Sequence, residues 1–166
     1  MLHTWRHQFS RASTTAGRLR AAGATVTVVG PDAVRIDGSR SELTRLLRNL
    51  GDNAAAHDRS TVTLGLRVQD RQAVLSVADD GPGVPTADRE RIFQRFTRLD
   101  AARARTADGG GASLGLAICR QIIQRHHGQV TVVDGDGGRF VVLLPVGTGH
   151  SGPPEGFELT ELLGER

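Results

Sequence analysis

Two pairs of short strands, each closed by a tight turn, restrict the fold of this chain more than any other feature. Residues 61–69 and 73–79 carry alternating apolar side chains and meet at Gln69-Asp70-Arg71-Gln72. Residues 129–134 and 139–145 are joined by Gly135-Asp136-Gly137-Gly138. Hairpins pair their strands antiparallel, which argues against a doubly wound parallel sheet. Two more strands are expected at 25–29, ended by Gly30-Pro31-Asp32, and at 34–36. Ser39 or Ser41 caps a helix with Leu43, Leu46, Leu47 and Leu50 at helical spacing, running to about His57. A short helix is expected over 87–96 and a longer one over 114–127, apolar at Leu114, Ala117, Ile118, Ile122 and Ile123. The expected fold is a two-layer α/β sandwich: a mixed, mostly antiparallel sheet with three helices on one face.

The flanks read differently. Residues 1–23 form an arginine-rich segment with a weak helical pattern, and 24–146 form the folded body. Residues 147–166 are expected to be a flexible tail, in which ELTELLGER makes a short amphipathic turn. Residues 97–113 show no apolar period, and a stretch of that length inside a compact body is a functional lid or a disordered segment.

Composition removes several functions. All 21 basic residues are arginine, so no phosphate-loop or Schiff-base lysine is available. A net charge of +3, with arginines interspersed among acids and no aromatic platform, argues against nucleic-acid binding. No stretch approaches the roughly 18 apolar residues of a membrane span, so no direct membrane insertion is expected. The single cysteine, Cys119, excludes an internal disulfide and fits a cytoplasmic protein. It lies in an apolar helical run and reads as a core thiol.

Three groups of residues carry chemistry. The only two asparagines, Asn49 and Asn53, are four residues apart in a leucine-rich helix, so both carboxamides share one face. Asparagine is a poor helix former, and a neutral carboxamide oxygen suits Mg²⁺, which takes few protein oxygens beside phosphates and water. Asp79 closes a strand ahead of Asp80-Gly81-Pro82-Gly83. A carboxylate held there can accept from an exocyclic amine such as adenine N6, while Gly81 and Gly83 permit close backbone approach. Gly109, Gly110 and Gly111 precede an apolar helix that includes Leu114, Gly115 and Leu116. Glycines at a helix start expose backbone N–H groups and the positive dipole end to phosphate. Each group alone also has an ordinary reading as a cap, a strand-ending turn or a linker.

In order and interval, these groups resemble the catalytic, ATP-binding domain of bacterial sensor histidine kinases, within the Bergerat (GHKL) ATPase superfamily. NLGDNAAAH resembles its N box and DDGPG its G1 box; RIFQRFTRLD resembles its F box and GGGASLGLAI its G2 box. The resemblance spans residues 37 to 145 and implies the Bergerat fold with a flexible ATP lid. It implies ATP and Mg²⁺ as cofactors, with Asn53 as the metal ligand and Asn49 near the phosphates. His57 would lie against the nucleotide and Asp79 would bind adenine, with Gly81 and Gly83 shaping that pocket. Phe93 and Phe96 would anchor the lid, and Arg98 would reach the terminal phosphates. Gly109, Gly110, Gly111, Leu114, Gly115 and Leu116 would wrap the triphosphate.

Departures from the family pattern bear on function. Ser113 stands where the G2 box usually has glycine, and Ala56 stands where a basic residue often precedes the N-box histidine. The family's acceptor histidine precedes an acid. Here only His57 does, before Asp58, and it lies in the N box. The expectation is therefore the ATP-binding subunit of a split two-component kinase. It would phosphorylate a histidine on a separate dimerisation protein, which relays the group to a response regulator. The alternative is a degenerate interaction module with weak or no ATP turnover. The ATP-hydrolysing and serine-kinase relatives use a glutamate where this chain has Asn49, which argues against both.

Overall fold

A computed structural model describes residues 14–30, 34–56, 60–94, 111–147 and 156–164, with the side chains of 111–113 and 156 outside the description. The elements run α1 (Thr15–Ala21), β1 (Thr25–Val29), β2 (Arg35–Asp37), α2 (Arg40–Ala54), β3 (Thr61–Gln69) and β4 (Gln72–Asp79). Two single 3₁₀ turns follow at Thr86–Asp88 and Arg91–Phe93. Then come α3 (Gly111–Arg125), β5 (Gln129–Val132), β6 (Arg139–Pro145), β7 (Gly156–Glu158) and α4 (Leu159–Leu163).

Five strands form the main sheet in the order β1-β3-β4-β6-β5. β1 lies parallel to β3, and the other neighbours are antiparallel. Period-two alternation aims Val62, Leu64 and Leu66 of β3, Ala73, Leu75 and Val77 of β4, and Phe140, Val142 and Leu144 of β6 into one core. The β3–β4 hairpin turns through Asp70 (φ 50°) and Arg71 (φ 60°), with Gln69 opposite Gln72. Two successive left-handed residues match the twist of a two-residue hairpin, at a cost of about 1–3 kcal/mol for each non-glycine.

Helices α2 and α3 cover the inner face side by side. Leu43, Leu46, Leu47 and Leu50 of α2 are fully buried, and Ser39 caps the helix by accepting from the Glu42 amide at 3.4 Å. α3 contributes Leu116, Cys119, Ile122 and Ile123. Its C-terminal end is pinned to the α2 cap: the Ser39 N–H donates to His126 Nε2 at 3.1 Å, while His126 Nδ1 lies 2.8 Å from the Ile122 carbonyl.

The structure departs from the sequence reading at three elements. The first is α1, expected outside the folded body of 24–146, which instead places Ala16 and Leu19 in the main core. The helix expected over 87–96 is a pair of 3₁₀ turns through residue 93. Ile92 and Phe93 are its buried apolar residues and sit side by side, so no helical stripe forms. The flexible tail expected over 147–166 is corrected for residues 156–164. β7 pairs antiparallel with β2, aligning Ile36 with Phe157. Leu159, Leu162 and Leu163 of α4 enter the main core, and the Leu159 N–H donates to the Val34 carbonyl at 2.8 Å. The strap ends at Gly164 (φ +107°), where a Cβ would stand 2.7 Å from Thr14 Oγ1, the cap of α1. Leu159→Ala is expected to destabilise the protein by about 2–5 kcal/mol, read as a lower urea midpoint. A negligible shift would mean that the strap lies on the core surface.

Candidate functional site

The C-terminal half of α2 carries Asn49 and Asn53, both half-buried. The leucine face binds α2 to the sheet, which leaves the asparagine face free to meet α3. There, Asn49 Nδ2 donates to the Gly115 carbonyl at 3.3 Å. One turn further along α3, Cys119 Sγ lies 3.8 Å from the Leu46 carbonyl. Burial pushes this thiol up to about 12, against an opposing hydrogen bond from the Asn49 side chain. A thiol held protonated in the core packs two helices together and is no nucleophile.

Asn53 differs from its neighbours. Asp52 turns outward to Arg18 of α1 at 2.5 Å and lies 3.8 Å from Arg48. Among the described residues, no hydrogen bond engages the Asn53 carboxamide. A half-buried amide without an internal partner retains its full capacity for a ligand.

Asp79 is the last residue of β4 and is half-buried. Its N–H donates to the Gly138 carbonyl at 2.8 Å. Its Oδ1 accepts two backbone amides, from Gly81 at 2.8 Å and from Gly138 at 3.2 Å. Asp80 Oδ1 accepts the Thr61 N–H at 3.0 Å, tying this turn to the start of β3, where the chain returns from α2. Gly83 has φ +72°, and a Cβ there would stand 3.2 Å from the Gly137 carbonyl. Arg89 clamps the far end of the loop, donating Nε to the Val84 carbonyl at 3.2 Å and pairing with Asp134. The Arg89 guanidinium, first by hydrogen bond and then by charge, holds the Asp134 carboxyl below its ordinary value.

Gly111 is the first residue of α3, Leu114 is exposed, Gly115 is half-buried, and Leu116 is buried. Phe93 is buried edge-on against Phe140, with ring centroids 6.2 Å apart. The structure thus brings Asn49 and Gly115 into contact and sets Asp79 beside the strand that follows α2. His57, Phe96, Arg98, Gly109 and Gly110 lie outside the described residues. Sequence reasoning took Gly135–Gly138 for a hairpin connection and missed the contact of Gly137 and Gly138 with Asp79. Four small residues in a row gave a turn signal but no partner.

No group of three or more His, Cys, Asp or Glu side chains able to hold a metal occurs among the described residues. The chemistry of the donor set still fits Mg²⁺ of the nucleotide-bound kind. Asn53 would offer one neutral oxygen, and such a metal takes only one or two protein ligands beside phosphates and water. Among the described residues, no helix is long and apolar enough to cross a membrane.

Comparison with known proteins agrees with this geometry. A family model described as histidine kinase-, DNA gyrase B-, and HSP90-like ATPase matches residues 38–148. Sensor histidine kinase CpxA of Escherichia coli (strain K12) is 40% identical over 111 residues, 66% of this chain and 24% of that protein. The chain spans about a quarter of the length of the curated relatives it matches. The mycobacterial sensor histidine kinase MprB superimposes with a TM-score of 0.69 at 29% identity, over 80% of this chain and 91% of that one. Full-length ShkA in complex with AMPPNP gives 0.64 at 26% identity, over 82% of this chain and 28% of that one.

Proposed function

The chain belongs to the histidine kinase-, DNA gyrase B- and HSP90-like ATPase family, as an ATP-binding domain of the sensor-histidine-kinase kind; from that premise we propose that it binds Mg-ATP and donates the γ-phosphoryl group to a histidine on a separate partner protein. That partner relays the group to an aspartate of a response regulator in the cytoplasm. The observation that carries this reading is the carboxamide face of α2 meeting the start of α3, with Asn49 Nδ2 3.3 Å from the Gly115 carbonyl. A carboxylate at position 49 could take a proton from water, and a carboxamide cannot. The phosphoryl group is therefore kept for an incoming nucleophile.

Asn53 supplies the protein oxygen to the metal. When bound, Mg²⁺ neutralises charge on the phosphate oxygens. Asp79 accepts from the purine amine, with Gly81 and Gly83 bringing backbone close to the base. Gly111, Leu114, Gly115 and Leu116 present the α3 N-terminus to the triphosphate. His57, Phe96, Arg98, Gly109 and Gly110 keep the roles that the resemblance implies. The partner's imidazole forms the N–P bond as the bond to the bridging oxygen breaks, and ADP leaves. This chain contributes positioning and charge neutralisation.

The state of His126 removes that residue as an acceptor. Its ring lies between the Ser39 N–H and the Ile122 carbonyl, with the side chain 7% exposed. Neither nitrogen is open to a phosphate. The test incubates the purified chain, a candidate acceptor protein and radiolabelled Mg-ATP. Acid-labile label is expected on the acceptor. Label on this chain alone refutes transfer in trans, and absence of Mg-dependent ATP binding makes the chain a non-catalytic interaction module.

A further inference from the structure

We propose that Gly138, in the turn between β5 and β6, is a positioning residue that seats the Asp79 carboxylate and so sets selectivity for a 6-aminopurine. This inference rests on the reading that Asp79 meets the base. Gly138 is joined to Asp79 in both directions: its carbonyl accepts the Asp79 N–H at 2.8 Å, and its own N–H donates to Oδ1 at 3.2 Å. With Gly81 also donating to Oδ1 at 2.8 Å, that oxygen is saturated. Oδ2 remains to accept a hydrogen from a ligand.

The missing side chain at 138 is a matter of space. Gly138 is absent from the left-handed glycines, which among the described residues are Gly23, Gly38, Gly83 and Gly164. A left-handed backbone is therefore not what calls for glycine here. A Cβ at 138 would, however, stand 2.5 Å from Asp79 Oδ2 and 3.1 Å from both Cγ and Oδ1. The carboxylate rests directly on the bare Cα. Gly137 is a different case, because a Cβ there would collide with the Asp79 backbone carbonyl and break the hairpin. At 138 the obstacle is a side chain that can rotate away. A methyl group would therefore displace the carboxylate, break the Gly138 N–H to Oδ1 bond and leave the sheet standing.

The test measures dissociation constants of Mg-ATP and of Mg-inosine triphosphate, which carries an oxygen in place of the 6-amino group. Wild type is expected to prefer ATP. Gly138→Ala should weaken ATP binding by about 10- to 100-fold, the range for losing a hydrogen bond to a charged group, and leave inosine triphosphate nearly unchanged. Gly135→Ala, where a Cβ would find its nearest neighbour at 3.7 Å, should behave as wild type. Equal loss of both nucleotides, or retained preference in Gly138→Ala, overturns the inference while leaving the purine-binding role of Asp79 intact. A wild type without preference removes that role and this inference with it. A second readout does not depend on the Gly138 variant folding. In Asp79→Ala, the Gly138 amide proton should move upfield as its charged acceptor disappears, and an unmoved resonance would also overturn the assignment.

Discussion

Asn53→Ala is expected to lower the rate of phosphoryl transfer to the acceptor histidine by about 100- to 1000-fold, the range for removing one preorganised polar group at a charged reacting centre. The fold should survive, because no hydrogen bond among the described residues engages this side chain. The adjacent links between helices run through Asp52 to Arg18 and through Asn49 to Gly115, and both remain. If Asn53 is the metal ligand, as proposed, truncation removes that oxygen and little else. Water can take the vacant position, but it cannot fix the metal relative to α2. The Mg²⁺ concentration for half-maximal transfer should rise together with the loss of rate, while the melting temperature stays within about 2 °C, less than 1 kcal/mol would move it. Asn53→Asp should restore metal affinity without restoring the rate, since a carboxylate adds repulsion against the triphosphate. A variant that keeps a tenth of the wild-type rate with an unaltered Mg²⁺ dependence would remove Asn53 from the metal site.

The main sheet was legible because its signals are local. Alternation over Val62, Leu64 and Leu66 needs no knowledge of a partner, and the turn at Asp70-Arg71 fixes the register from Gln69 opposite Gln72 outward. The leucine stripe of α2 declared itself by spacing, and the two asparagines stood out against it. What escaped depended on contacts distant in sequence. Leu159, Leu162 and Leu163 have helical spacing, but the groove that receives them is built by β2, α1 and α2. A Gly/Pro/Ser-rich stretch precedes them and reads as a break. The seat of Asp79 is likewise a long-range object, because Gly138 lies 59 residues away and donates through its backbone, which leaves no side-chain signature. The 3₁₀ turns failed as a helix for a local reason. Their buried residues Ile92 and Phe93 are adjacent, so no stripe at helical spacing holds one face to the core.

Asp79→Asn is expected to invert base preference as well as weaken ATP binding. In the native chain both carboxylate oxygens are acceptors: Oδ1 is occupied by the amides of Gly81 and Gly138, and on the proposed reading Oδ2 meets the base. Asparagine keeps its single oxygen where those two amides demand an acceptor, so its NH₂ must take the Oδ2 position. A donor now faces the 6-amino group of adenine, and neither side can accept. ATP affinity should fall by about 10- to 150-fold, the cost of replacing a charge-assisted hydrogen bond by two opposed donors. The 6-oxo group of inosine or guanine triphosphate supplies the missing acceptor, so those nucleotides should gain. The combined change in the ATP-to-inosine triphosphate affinity ratio should exceed the loss in ATP affinity alone. The backbone amides that orient the side chain are unchanged, so stability should change little, and competition binding separates the two effects directly. Equal weakening of both nucleotides would mean that Asp79 supports the turn without reading the base, and the adenine assignment would then fall.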